Sequence, residues 1–174
     1  MGATTPSWAE RAAVLVPDGR CLIDGVRRDA ADGATFAKHS PIDARLLGAV
    51  ARGQAADVDA AVASARAAFD DGRWARLAPA ARKRVLQAFA DRILAAKDEL
   101  ALLETLDMGK PIQFARTVDV PAAARCIHWY AEAIDKVYDE IAPTGPNALA
   151  LITREAMGVI GCIVPWNYPM IMAA

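Results

Sequence analysis

The residues of this sequence best suited to chemistry stand in one short stretch, CIVPWNYPMIM at 162–172. Asn167 lies between Trp166 and Tyr168, and Pro165 and Pro169 bracket the three. A carboxamide offers two N–H donors and keeps the same charge at every pH. Held still, it can donate to an oxygen that turns negative while a carbonyl is attacked. A preorganised donor of this kind contributes about 3 kcal/mol to the transition state. The prolines supply the stillness, because each fixes its own φ and biases the preceding residue towards extended backbone. Trp166 and Tyr168 add large anchoring surfaces. On spacing alone, a turn at a strand end is the simpler explanation of an asparagine between prolines. One asparagine does not define a site.

The other reactive side chains are sparse. Cys21, Cys126 and Cys162 are far apart, with no CxxC pair, so neither a disulfide framework nor a zinc site is expected. Cys162 falls in the middle of an apolar, strand-like run, where a thiol is expected to be buried and unactivated. Cys126 lies on a helix flank and Cys21 beside a turn, so neither reads as a nucleophile. His128 and Glu132 stand one helical turn apart on a charged face and read as a surface pair. His39 follows Lys38 in a loop with no evident partner. GVIG at 158–161 has too few glycines, and no strand-helix-strand unit around it, for a dinucleotide fingerprint.

These residues need elements to position them. RCLIDGVRRDAADGATFAKHSPI at 20–42 alternates in short runs split by Asp24-Gly25 and Asp32-Gly33, which predicts one or two tight hairpins. LLGAVAR at 46–52 reads as a further strand. Helical periodicity follows: Val58, Ala61, Val62, Ala65 and Phe69 form one stripe, with Asp57 as the expected N-cap and Gly72 as the stop. Pro79 opens a second helix, whose Val85, Leu86, Phe89, Ile93 and Leu94 are expected to face inward. Asp98 is the expected cap of a third helix, closed by Gly109 and Pro111. A fourth is expected from Pro121 to Tyr138, with Ile127, Tyr130, Ala131, Ile134 and Tyr138 on one side. Two strand-like runs follow IAPTGPN, the second entered through Gly158 and Gly161. A buried strand starting at Val159 would need a sheet to join, since its backbone groups must be paired. The chain therefore reads as unfinished.

At 174 residues the chain is long enough for a sizeable core. Net charge is −1, so no global bias towards nucleic acid or an anionic membrane exists, and neither is expected as a partner. The basic cluster ARKRV at 81–85 reads as a solvated helix face. There is no secretory signal, no apolar run of membrane-spanning length, and Pro6 spoils the myristoylation motif that Met1-Gly2 suggests. A reduced, cytoplasmic setting is expected.

EAMGVIGCIVPWNYPMIM closely resembles the stretch by which the NAD(P)-dependent aldehyde dehydrogenase superfamily enters its coenzyme-binding domain, E-P-x-G-V-x-x-x-I-x-P-W-N-[FY]-P. DVDAAVASARAAF, LLETLDMGKPI and AARCIHWYAEAIDKVYDEI are similar to that family's N-terminal helices in order and spacing, so the likeness covers about residues 20–174. LLETLDMGKPI and WYAEAIDKVYDE also look like the branch acting on γ-glutamyl-γ-aminobutyraldehyde and other ω-aminoaldehydes. The departures are Ala156 where the family has proline and Ser40-Pro41 where it has Asn-Pro. Neither touches the chemistry directly.

The resemblance implies an α/β fold, the N-terminal part of the aldehyde dehydrogenase fold, incomplete as given. Its implied parts are a tail and first helix at 1–19, a hairpin and helices of the coenzyme-binding domain at 20–138, oligomerisation-type strands at 139–157, and the start of the Rossmann-like core at 158–174. Asn167 would be the side-chain oxyanion donor. Ile163, Val164, Pro165 and Trp166 would lie against the nicotinamide-ribose side of NAD or NADP, and Tyr168 and Met172 would line the aldehyde channel. Asp107 matches a position that holds a structural cation in some members, although no metal site is expected here. The family's cysteine nucleophile, glutamate base, ribose lysine and pyrophosphate turn lie downstream of PWN. The implied function is oxidation of an aldehyde to a carboxylic acid by a longer, homo-oligomeric enzyme, with this chain inactive alone. Two other readings stand: a non-catalytic paralogue that assembles with a full-length subunit, and a sister enzyme that passes the acyl group to coenzyme A.

Overall fold

A computed structural model of the chain describes residues 6–174; the first five residues of the N-terminal tail, and with them the Met1-Gly2 reading, lie outside the described residues. Helix α1, Trp8–Val14, is opened by Ser7, whose hydroxyl accepts from the Glu10 N–H while the Glu10 carboxylate accepts from the Ser7 N–H. Two hairpins follow. In the first, β1 (Cys21–Ile23) pairs antiparallel with β2 (Val26–Arg28) across Asp24 and Gly25, both at positive φ of 54° and 72°. That is the two-residue turn an Asp-Gly pair favours. In the second, β3 (Thr35–His39) pairs with β4 (Leu46–Ala51), with a register shift between Lys38 and His39.

The helices form the body. Helix α2 runs Ala55–Asp70, α3 Pro79–Ala95 and α4 Lys97–Met108, and α5 is the short Ile112–Phe114. A π-helical turn, Ala115–Asp119, then leads into α6, Val120–Ala133. Pro121 explains the widening: it has no N–H and, in a regular α-helix, its ring would strike the carbonyl of residue 117. Helix α4 is the most enclosed, with Ala101, Leu102, Glu104 and Leu106 all buried. The core is built mainly of alanine and small aliphatic side chains, and Val120 and Asp119 are its largest fully buried ones. Strands β5 (Glu140–Ala142) and β6 (Ala150–Ile152) make a third hairpin, and α7 (Pro169–Ala173) ends the described chain. Among the described residues no helix is long and apolar enough to cross a membrane.

Several expectations shift. Asp57 sits three residues inside α2, and Gln54 holds the N-cap. The Asp57 carboxylate accepts from the N–H groups of Gln54 and Ala31, both at 2.9 Å, so it ties the helix to the loop after β2. Asp98 is no cap either, because Ala96 ends α3 and opens α4 without a break; its carboxylate accepts instead from Arg116 at 2.6 Å. Helix α6 ends at Ala133 rather than Tyr138, where Lys136 Nζ donates to the Glu132 carbonyl that the next helical N–H would use. Val58, Val62, Val85 and Phe89 are about half exposed, so the apolar stripes of α2 and α3 are only partly covered. Lys83, from the basic cluster, crosses to α6 and pairs with Glu132 at 2.7 Å and Asp135 at 3.3 Å. Glu132 also accepts from Gln87 at 2.7 Å, so it faces α3 rather than His128. The strand expected from Val159 takes no strand pairing among the described residues. Cys162 within it is exposed, not buried.

Candidate functional site

Helix α4 closes with Gly109 as its C-cap at φ 83°, its N–H donating to the Thr105 carbonyl at 2.9 Å. A Cβ there would meet Pro41 Cγ at 3.1 Å, so both conformation and space call for glycine. The reversal carries Lys110 back alongside Glu104. The π turn brings in Asp119 from the other side, and both carboxylate side chains are only 3% exposed. Lys110 Nζ donates to Glu104 Oε1 at 3.0 Å, to Asp119 Oδ2, and to the backbone carbonyl of Asn167 at 2.9 Å. It also stands 3.9 Å from the centroid of the Tyr168 ring.

Two carboxyls around one ammonium leave a surplus negative charge. Burial pushes the Glu104 carboxyl up to about 7, and its hydrogen bond to Asp119 adds to the shift, against the opposing pull of Lys110. Burial alone would pull Lys110 down, but its bonds to Asp119 and Glu104 outweigh that and hold its pKa above the usual lysine value. At neutral pH the group is thus an ammonium, not a base.

The bracketed asparagine sits directly on this cluster. Tyr168 is the N-cap of α7, Pro169 its first residue, and the Tyr168 carbonyl accepts from the Met172 N–H at 3.0 Å. The Asn167–Tyr168 peptide is therefore held by Lys110 on one side and by the first turn of α7 on the other. The Asn167 carboxamide is exposed and takes no hydrogen-bond partner among the described residues. Beside it opens a cleft of about 270 Å³ lined by Lys110, Phe114, Val118, Asp119 and Tyr168. Asn167 does not itself line that cleft; its exposed carboxamide, next to Tyr168 in the chain, offers two amide donors to a ligand.

The other sequence-derived residues lie apart from that cleft. Ile163 is fully exposed, Trp166 is 75% exposed, and Val164 and Pro165 lie between them in the unpaired segment. Met172 projects from α7, about half exposed, without lining the cleft. Met170 instead packs on the buried cluster of Ala101, Ala115 and Val120. Asp107 pairs with Lys38 at 2.8 Å, which puts an ammonium where the resemblance places a cation. Sequence reasoning missed Lys110, Glu104, Asp119, Phe114 and Val118. The only signal was a lysine directly after a helix-stop glycine, and nothing in the sequence names its partners.

Comparison with known proteins points one way. The profile described as "Aldehyde dehydrogenase family" matches residues 28–174. The NADP/NAD-dependent aldehyde dehydrogenase PuuC of Escherichia coli K12 is 47% identical over 165 residues, which are 95% of this chain and 33% of PuuC. The crystal structure of γ-glutamyl-γ-aminobutyraldehyde dehydrogenase from Burkholderia cenocepacia J2315 superposes with a TM-score of 0.93 at 55% identity, over 95% of this chain and 34% of that one. A mutant of the P. syringae indole-3-acetaldehyde dehydrogenase AldA, solved in complex with NAD+ and IAA, gives 0.93 at 53% identity, with the same coverage of 95% and 34%. The chain spans about a third of the length of the curated relatives it matches.

Proposed function

The chain belongs to the aldehyde dehydrogenase family, and we propose that it serves as the N-terminal third of an enzyme that oxidises an aldehyde to a carboxylic acid with NAD or NADP. The observation that carries the proposal is the free Asn167 carboxamide on a backbone clamped from two sides, beside the cleft of Tyr168. In this reading Asn167 Nδ2 donates to the aldehyde oxygen as a nucleophile from the remainder of the enzyme attacks the carbonyl carbon. Phe114, Val118 and Tyr168 hold the substrate's organic part and exclude water, and Met172 extends the channel wall. Cys21, Cys126 and Cys162 do not line that cleft, so this reading takes the nucleophile from the remainder of the enzyme.

Ile163, Val164, Pro165 and Trp166 suit the nicotinamide-ribose side of the coenzyme. Their segment is open, unpaired along its backbone and carries exposed apolar side chains, so both flat surface and backbone polar groups are free to engage it. When bound, the coenzyme supplies the two-electron acceptor that the oxidation needs. The likeness to the B. cenocepacia enzyme, whose name gives γ-glutamyl-γ-aminobutyraldehyde, supports an ω-aminoaldehyde as the substrate. Residues 20–138 then belong to the coenzyme-binding domain, 139–157 to subunit contacts in a homo-oligomer, and 158–174 to the start of the core sheet.

The test is Asn167→Ala in the full-length enzyme. We expect kcat to fall by about two orders of magnitude or more. An unchanged kcat removes the oxyanion role.

A further inference from the structure

We propose that Lys110 is the positioning residue for the oxyanion donor: fixed by Glu104 and Asp119, its ammonium holds the Asn167 carbonyl and the Tyr168 ring, and so sets where the Asn167 carboxamide points. The proposal rests on the reading of Asn167 given above and deepens it.

The geometry distinguishes this role from that of an ordinary buried ion pair. An ammonium has three N–H donors. Two go to carboxylates, from α4 and from the π turn, and these alone would complete a structural ion pair. The third spans 57 residues of sequence to reach one backbone carbonyl, that of the candidate catalytic residue itself. The same ammonium lies 3.9 Å from the ring centroid of the next residue, a contact with the attraction of a cation for an aromatic face. Four interactions fix the Nζ, and two of them fall on consecutive residues of the PWN loop.

The mechanical consequence follows from the backbone. A carbonyl held at 2.9 Å fixes the plane of the Asn167–Tyr168 peptide, and with it the ψ angle of Asn167. Pro165 and Pro169 restrict the flanking φ angles, and α7 secures the Tyr168 carbonyl. The carboxamide is then confined to the few χ1 rotamers that this backbone allows. The Lys110 side chain is only 11% exposed, although its bond to the Asn167 carbonyl lies on the exposed side of the cluster. With all three donors engaged, Lys110 has no proton to exchange with substrate, and its effect passes through Asn167.

A double-mutant cycle in the full-length enzyme tests this. Lys110→Met keeps the aliphatic length and removes the charge. Misplacing the donor should lower kcat by about 10- to 100-fold, with KM for the coenzyme changed less than about twofold, since the ammonium does not touch residues 163–166. In the Asn167→Ala background the same substitution should change kcat by less than about twofold, because the donor it positions is gone. Equal losses in both backgrounds, or no loss in either, would overturn the proposal and leave Lys110 a structural ion. Removing the cation from two buried carboxyls threatens folding. If Lys110→Met is not recovered folded, the triple variant Lys110→Met, Glu104→Gln, Asp119→Asn, which leaves no uncompensated charge, takes its place in the cycle with the same expected outcomes. If Asn167→Ala alone leaves kcat unchanged, the oxyanion reading itself falls and the positioning role falls with it. That outcome is visible before Lys110 is altered.

Discussion

Glu104 is a buried residue whose chemistry the surroundings change strongly. It shares Lys110 with Asp119, and one ammonium neutralises only one of the two carboxylates. Its Oε2 is buried and has no donor among the described residues, so an ionised Glu104 leaves an acceptor unsatisfied. Protonated, the same carboxyl can donate to Asp119. Its pKa therefore rises to about 7 on folding from the usual 4.5. The sign of the linkage follows. Between those values the folded state holds a proton that the unfolded chain has released, so this contribution to stability is full below 4.5 and is lost as pH rises through 7. Glu104→Gln mimics the protonated form and should remove the loss. In melting temperatures of the full-length enzyme from pH 5 to pH 8, the difference between Glu104→Gln and the parent should move in favour of the variant as pH rises through 7. A difference flat across that range would mean that Glu104 titrates as an ordinary carboxylate.

At the scale of elements, what the sequence made legible was whatever residue type alone enforces. Asp24-Gly25 announces a turn that needs two positive φ angles, and both are present. Gly72, Pro79 and Gly109 bound the helices because each removes one local option: a side chain, a free φ, or continuation past an αL cap. What stayed hidden depends on tertiary partners. The π turn at Ala115–Asp119 was not read because Pro121 suits the first turn of a regular helix equally well. Yet that extra residue carries Asp119 to Lys110, nine positions away in sequence. Asn167 was legible because prolines and aromatics bracket it in sequence, whereas the clamp on its carbonyl comes from 57 positions upstream. Asp57 is a milder case. It is acidic and near a helix start, which reads as a cap, but its partner at Ala31 is visible only in three dimensions. Asp57→Ala leaves two backbone N–H groups without their acceptor and unpins α2 from the first hairpin. It should cost about 1–2 kcal/mol, read as a lowered urea midpoint of the full-length enzyme; a loss below about 0.5 kcal/mol would reduce the contact to a surface cap.

Taken whole, the molecule exposes more surface than its mass requires. Its accessible area is 12237 Å², whereas a compact monomer of 18.5 kDa exposes about 8,200 Å². The excess of about 4,000 Å² is of the order that obligate interfaces bury. It is apolar where it matters: Tyr138, Ile141, Leu149 and Leu151 are each more than 60% exposed around the third hairpin. The register sharpens the point. Ile141 and Leu151 are direct antiparallel partners, so their side chains leave the same face of β5 and β6 together. A two-stranded ribbon with an apolar face has little stability of its own in water and gains it by packing against another layer. If residues 139–157 make the subunit contacts proposed above, that face is covered in the oligomer and a charge on it must be desolvated on assembly. Leu151→Lys in the full-length enzyme places an ammonium beside Ile141 in the middle of the face, at a residue that contacts neither Asn167 nor Lys110 through the hydrogen bonds and ion pairs of the described residues. Burying it unpaired costs several kcal/mol per subunit, enough to shift the sedimentation of the enzyme from oligomer towards protomer at micromolar concentration. An oligomer of unchanged size would place the subunit contacts elsewhere and leave the third hairpin to be covered by the enzyme's own remaining chain.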